Sequence, residues 1–362
     1  MIRLVRRAEP SRAMVYLAPV VALVATFLAG TLLFALLGVP VLDALYAFFV
    51  EPLTTRYGLA ELGVKAAPLI LIGAALAIGF RANVWNIGAE GQLIAGAICG
   101  GAVALWFYEV ERWFVLPLMM VAGIFGGMVW AAIPALLKTR FNASEILTSL
   151  MLTYIASLLL NFLVHGPMRD PDGFNFPESR LFHMAATLPV VLEGTRLHIG
   201  FPIALLVVVA LWVLLSRTVL GFELKVMGQA PRAAGFAGFR ESTVIWFCLL
   251  SGGAAAGLAG LLEVAGPIGQ LLPTVSPGYG FTAIIVAFLG RLHPVGVLFA
   301  GLLMALSYLG GESAQIALNL PTAVTGVFQG MLLFFLLAAD VLILYRLQLS
   351  TSVVTSVQDG PS

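Results

Sequence analysis

Phe80-Arg81-Ala82-Asn83-Val84-Trp85-Asn86-Ile87-Gly88-Ala89-Glu90-Gly91-Gln92 is the stretch on which the reading of this chain turns. Two asparagines, a glutamate, a glutamine and two glycines interrupt an apolar region, with the run 64–80 before them and the run 92–107 after. Polar groups at membrane depth are costly and persist mainly where they line a cavity or pair with each other. Irregular backbone there needs the same shelter. Two readings stand side by side: a discontinuous segment lining a substrate path, or a plain turn in which Asn86 and Glu90 cap helices.

Composition puts both readings in a membrane. Of 362 residues, 60% are hydrophobic and 10% charged, whereas a soluble domain carries about 25% charged residues. So few charges cannot cover a water-facing surface, so the bilayer supplies the apolar surroundings. No basic stripe with interleaved aromatics is present, which argues against nucleic acid as a partner. Cys99 and Cys248 lie in apolar runs without a CxxC or a histidine at ligand spacing, and read as small core residues rather than metal ligands.

About 20 apolar residues cross the hydrocarbon. On that scale the expectation is an all-α polytopic protein with about ten crossings, some discontinuous, at 14–39, 64–80, 92–107, 114–137, 146–164, 199–215, 243–262, 281–290, 295–309 and 322–345. Residues 1–13 then form a cytoplasmic N-terminus, 14–345 one transmembrane domain and 346–362 a cytoplasmic tail. With the N-terminus inside, Arg3, Arg6, Arg7, Arg12, Arg81, Lys138, Arg140, Arg217, Lys225, Arg232, Arg240, Arg291 and Arg346 fall on the inner side. Only Arg56, Lys65, Arg112, Arg169, Arg180 and Arg196 fall outside, as the positive-inside rule requires.

Two long connections result, an outer one at 165–198 rich in proline and an inner one at 216–242. The glycine pairs Gly96/Gly100, Gly123/Gly127, Gly253/Gly257 and Gly326/Gly330 read as sites of close helix packing rather than a specific dimer motif. The sequence contains no phosphate-binding GxxxxGK[ST], no GxSxG and no HExxH, and its four histidines are scattered, so an enzyme is the weak reading and transport the strong one.

A second interruption runs from Glu263 through Gly266-Pro267 and Pro273 to Ser276-Pro277-Gly278-Tyr279-Gly280. Paired Gly/Pro breaks in the two halves of a transporter point to a central site between repeats. In the inner connection, Pro231 and the small residues 233, 234, 235, 237 and 238 suggest one short, slim helix along the membrane surface that docks in a groove.

At these residues the chain resembles the permease subunits of ABC importers for nucleosides and simple sugars, in the branched-chain amino acid and ribose permease superfamily. Asn83 to Gln92 is similar to the NxxNIGAEGQ pattern of the nucleoside-type branch. Gly221 to Gly238 is similar to the coupling segment GxxLxxxGxxPxAAxxAG. The segments Ser276 to Phe281, Leu289-Gly290 and Pro294-Val295-Gly296 resemble the second-half motif.

The resemblance implies a fold of type II importer kind with inverted repeats. It also implies a multi-pass subunit of a bacterial cytoplasmic (inner) membrane with both termini inside. The partners it implies are ABC ATPase subunits that hold ATP and Mg, a second permease subunit that is identical or a paralogue, an extracytoplasmic substrate-binding protein, and membrane lipid. This chain would hold no cofactor and no catalytic site. Asn83, Trp85, Asn86, Glu90, Gln92, Tyr279 and Phe281 are the substrate-path residues it suggests. Gly228, Pro231, Arg232, Ala233, Ala234, Gly235 and Gly238 are the ATPase-coupling residues. Nucleosides are the first substrate class and monosaccharides the second. A secondary transporter is the rival, but its intramembrane ion ligands would have to come from the thin set Glu90 and Glu263.

Overall fold

A computed structural model describes residues 2–7, 11–321 and 323–349; within the expected tail, residues 350–362 lie outside the described residues. In chain order the elements are β1 (Ile2–Arg6), α1 (Arg12–Leu36), α2 (Val41–Leu45), a π-helical turn (Tyr46–Val50), α3 (Glu51–Thr54), α4 (Arg56–Arg81), α5 (Ala89–Trp106), α6 (Val115–Phe141) and α7 (Glu145–His165). After a short 3-10 turn (Met184–Ala186) come α8 (Gly200–Arg217), α9 (Val219–Gln229), α10 (Pro231–Phe236), α11 (Glu241–Glu263), a second π-helical turn (Val264–Ile268), α12 (Tyr279–Leu289), α13 (Pro294–Leu318), α14 (Ala323–Leu344) and β2 (Tyr345–Leu349). The protein is an all-α polytopic membrane protein, and its described residues hold 9 helices long and apolar enough to cross a bilayer.

Nine of the ten expected crossings are present, with shifted ends. The tenth, expected at 281–290 as a helix, is the 11-residue α12. At 1.5 Å per residue it reaches about 17 Å, roughly half of a 30 Å hydrocarbon core. The chain before it, residues 269–278, is irregular. α4 begins at Arg56, well before 64, because Thr55 caps it (Oγ1 accepts from the Gly58 N–H, 2.9 Å) and its charges are paired. Glu61 pairs with Arg196, and Lys65 with Glu312. The same Lys65 pair lets α13 run past 309 to Leu318. Hydropathy counts a charged residue as a stop, whereas a neutralised pair inside a helix is not one.

The chain forms two compact units. In one, α1 and α14 pack antiparallel: the Ser11 N–H donates to the Ile343 carbonyl at one end, and the Phe34 and Phe328 rings lie 5.3 Å apart at the other. β1 and β2 pair antiparallel beyond the Ser11 end.

In the other, residues 45–322, the innermost helices are α4, α5 and α11. α5, α6 and α11 meet through glycines: a Cβ on Gly257 would overlap the Gly123 carbonyl and sit 2.9 Å from the Gly127 Cα, and one on Gly96 would overlap the Gly257 backbone. Three of the four glycine pairs therefore serve close packing. Gly326 and Gly330 meet nothing within 4 Å.

The 26 residues of α4 set the depth of this unit. At its start Glu61 meets Arg196, so the 165–198 connection sits at that end. At its finish the Arg81 carbonyl meets Gly228, so the 216–242 connection sits at the opposite end.

Candidate functional site

The first break begins where α4 stops. Asn83 takes a left-handed backbone (φ 60°), which asparagine tolerates better than most residues, and its Oδ1 accepts from the Trp85 Nε1–H at 3.0 Å. Beyond it, Asn86 and Gln92 form a closed amide pair: Asn86 Nδ2 donates to Gln92 Oε1 (2.9 Å) and Gln92 Nε2 donates to Asn86 Oδ1 (3.0 Å). Asn86 Oδ1 also accepts from the Gly88 N–H. Both side chains are buried. Ser149 on α7 accepts from the Ile87 N–H, and Gly88 and Gly91 pack on the Ser149 and Thr153 backbone with no room for a Cβ.

The second break comes to the first. After the π-helical turn the chain runs irregularly to Ser276, whose Oγ accepts from the N–H groups of Gly278 (3.1 Å) and Tyr279 (2.9 Å), and α12 starts there. Its next donor, the Gly280 N–H, reaches Glu90 Oε2 at 2.6 Å, across 190 residues of sequence. Gly280 has to be glycine, because a Cβ would strike the backbone of Ala89 and Glu90. Glu90 thus is a helix cap, though not of its own helix. It places a carboxylate at the start of α12, where unpaired N–H groups and the helix dipole favour negative charge.

Of the seven expected path residues, Asn86, Glu90, Gln92 and Tyr279 are buried, and do not line an open passage in this conformation. They frame the junction of the two breaks, with the Tyr279 ring set edge-on against Tyr308 at 5.4 Å. Phe281, one step along α12, is exposed. Asn83 and Trp85 lie elsewhere, in a recess of about 250 Å³ that also holds Lys138, Glu145, Met227 and Pro231. Paired amides satisfy each other, so the Asn86–Gln92 pair braces the first break.

The 216–242 connection holds the short helix expected at Pro231, α10, and a second helix before it, α9. Thr218 caps α9, and Pro231 opens α10 at the position where its missing N–H costs nothing. Leu224, Met227 and Ala234 are buried with Ile78, Ala82, Val84, Ile245 and Leu249. Gly228 lies against the Arg81 carbonyl so closely that a Cβ would overlap it. Gly228 and Ala234 therefore hold the segment to its own body. Arg232, Ala233, Phe236 and Gly238 are exposed, and Gly235 and Gly238 face open space.

Sequence reading missed two further groupings. At the far end of α4, Arg196 grips Glu61 with two hydrogen bonds, Nε to Oε1 (2.9 Å) and Nη2 to Oε2 (2.6 Å), tying the 165–198 connection down; the Glu61 carboxylate pushes the Arg196 pKa up. Beside them His198 is buried, which pushes its pKa down to about 4, and its Nδ1 accepts from the Gly200 N–H. The second grouping is a stack of Phe80, Trp85 and Phe288. No spacing rule links residues so far apart in sequence. Among the described residues no group of three or more His, Cys, Asp or Glu is placed to hold a metal.

Comparison with known proteins accounts for this arrangement. Residues 58–337 match the family model described as the branched-chain amino acid transport system / permease component. The glucose ABC transporter permease of Haloferax volcanii is 40% identical over 351 residues, 94% of this chain and 92% of that protein. The guanosine ABC transporter permease of Bacillus subtilis is 29% identical over 88% of this chain and 92% of its own length. The nucleoside ABC transporter permease NupB of Lactococcus lactis is 27% identical over 88% and 90%. A polytopic chain with interrupted crossings, matched along most of its length, belongs to the branched-chain amino acid transport system / permease component family, as an ABC transporter permease subunit of the sugar and nucleoside kind.

Proposed function

We propose that this chain is the membrane-spanning subunit of an ATP-driven importer of a small neutral hydroxylated solute, working by alternating access. The observation that carries the mechanism is the Glu90–Gly280 contact, which joins two interrupted crossings at one point. Interrupted crossings of this kind form the fixed central site around which one half of a transporter rocks against the other. Phe281 is the path residue that meets the solute, and the buried Asn86, Glu90, Gln92 and Tyr279 hold the segments that move.

Monosaccharides are the first substrate class, on the 40% identity to a glucose permease, and nucleosides the second, on the Asn83–Gln92 pattern and the two more distant relatives. That reverses the order the motif alone suggests. ATP and Mg belong to partner ATPases that dock on Arg232, Ala233, Gly235, Phe236 and Gly238. A second permease subunit, identical or paralogous, completes the passage. A substrate-binding protein seats on the 165–198 face, outside the membrane. No further cofactor is assigned to this chain.

The test is uptake by proteoliposomes holding this permease with its ATPase and binding protein. Labelled glucose enters only with ATP available to the ATPase, and excess unlabelled glucose competes while guanosine does not. Competition by guanosine alone moves the assignment to nucleosides, and uptake driven by an ion gradient without ATP defeats the ABC mechanism.

Orientation follows from the basic residues: both termini cytoplasmic, the 216–242 connection inside and 165–198 outside. Cysteines introduced at the exposed positions Asp172 and Arg232 react with an impermeant thiol reagent from opposite sides of sealed vesicles, Asp172 from outside. Labelling of both from one side rules this arrangement out.

A further inference from the structure

Three aromatic rings from three segments meet at the inner end of the helix body. Phe80 stands on the last turn of α4, Trp85 on the irregular 82–88 linker and Phe288 on the last turn of α12. Phe80 and Phe288 stack at 5.1 Å with 17° between their planes. Trp85 lies 5.8 Å from Phe288 at 26°, and 5.1 Å from Phe80 at 39°. The Trp85 indole is fixed in turn by its hydrogen bond to Asn83.

Both ends of this stack lead somewhere. On one side α9 and α10 are fastened to the end of α4: Gly228 abuts the Arg81 carbonyl, and Leu224, Met227 and Ala234 share a buried cluster with Ile78, Ala82 and Val84. A push on α9 and α10 therefore reaches Phe80 and Trp85. On the other side Phe288 ends α12, whose beginning is pinned to Glu90. An 11-residue helix held at both ends moves as a rigid rod, and a close-packed contact passes displacement on instead of absorbing it.

We propose that Phe288 is a positioning residue: through its stack with Phe80 and Trp85 it carries movement of the 216–242 segment into the half-helix α12, and so sets the open side of the passage. The inference rests on the proposed function, in which an ATPase moves that segment. Aromatic pairs contribute more than the area they bury, so the three rings hold to one another more strongly than aliphatic side chains of the same area.

The experiment compares wild type, Phe288→Ala and Phe288→Tyr in the reconstituted complex, reading uptake, ATPase co-purification and ATP hydrolysed per solute moved. A residue that only fills space lowers the yield of complex, whereas a link changes the ratio. Phe288→Ala is expected to keep its ATPase and hydrolysis within about twofold of wild type while uptake falls at least tenfold, so that the ATP cost per solute rises. Phe288→Tyr, which keeps the ring, is expected to restore uptake to at least a third of wild type. Uptake by Phe288→Ala within twofold of wild type overturns the proposal, as does an equal loss in both variants. Should Phe288→Ala not reach the membrane folded, Phe80→Leu and Trp85→Leu are read in the same way. Loss of uptake with the ATPase attached supports the link, and normal uptake in both overturns it. A wild-type complex that binds no ATPase defeats the proposed function itself, whatever the rings do.

Discussion

Gly257→Leu lowers the melting point and the yield of the permease, while Gly330→Leu is made and purified like wild type. Both glycines sit in GxxxG pairs on apolar helices, so the motif alone predicts the same outcome for both. Their surroundings differ. Gly257 lies where α11 crosses α6, with the Gly123 carbonyl in the place a Cβ would occupy and the Gly127 N and Cα each 2.9 Å away. Backbone cannot rotate aside as a side chain does, so the helices must separate. That separation also loosens the contacts of Gly96, Gly127 and Gly253, which use the same crossing. Overpacking a core costs about 1–3 kcal/mol and sometimes more. A clash with backbone at the centre of three helices falls at the upper end, about 3 kcal/mol, a large share of a total stability of about 5–15 kcal/mol. Gly330 meets nothing within 4 Å, and surface changes stay within about 0.5 kcal/mol. Thermal unfolding in detergent, followed by the monodisperse fraction, reads both. Equal melting points for Gly257→Leu and wild type would show that the three-helix crossing is not what holds the body together.

The membrane class was legible because it rests on composition, which no tertiary contact can reverse. Positions of nine long helices were legible for the same reason. Their ends were not, because Glu61 and Lys65 look like stops until Arg196 and Glu312 neutralise them. The two breaks were legible as breaks, since polar residues, glycine and proline interrupt apolar runs. What each break does was not. Glu90 reads as a cap for the helix it begins, and only the fold brings Gly280 to it. The inner segment shows a similar limit. Its small residues are visible in sequence, but small residues suit a partner's groove and a tight fit to the chain's own body equally well. Gly228 and Ala234 turned out to do the second, so bulk added at Ala234 disturbs the permease before it disturbs any ATPase contact. Gly235, which faces open space, is the position where added bulk probes docking.

Glu90→Ala lowers uptake at least tenfold in a complex that still assembles. The carboxylate accepts the Gly280 N–H at 2.6 Å inside the helix body, where water does not replace it. Removing one partner of a buried hydrogen bond leaves the other unsatisfied at about 1–3 kcal/mol, with charged partners toward the upper end. A change of 1.4 kcal/mol is tenfold in an equilibrium, so this loss suffices to shift how α12 is populated between its positions without unfolding the protein. Glu90→Gln keeps one acceptor oxygen of the same reach for the Gly280 N–H but exchanges the other for an NH2 donor and loses any charge at the helix start, the latter worth about 0.3–1 kcal/mol, so its uptake falls between wild type and Glu90→Ala. Asn86→Ala strands the Gln92 amide, whose two hydrogen bonds to Asn86 are the ones that close the first break, and is expected to resemble Glu90→Ala. The measurements are initial uptake rates at equal amounts of assembled complex. If Glu90→Ala and Asn86→Ala both transport at wild-type rates, the 82–92 stretch is a turn that happens to be buried, and the moving part of this permease has to be sought elsewhere. If both fail while Glu90→Gln retains partial uptake, what matters at this position is an acceptor aimed at Gly280, which is how a carboxylate can be essential to transport without touching the solute.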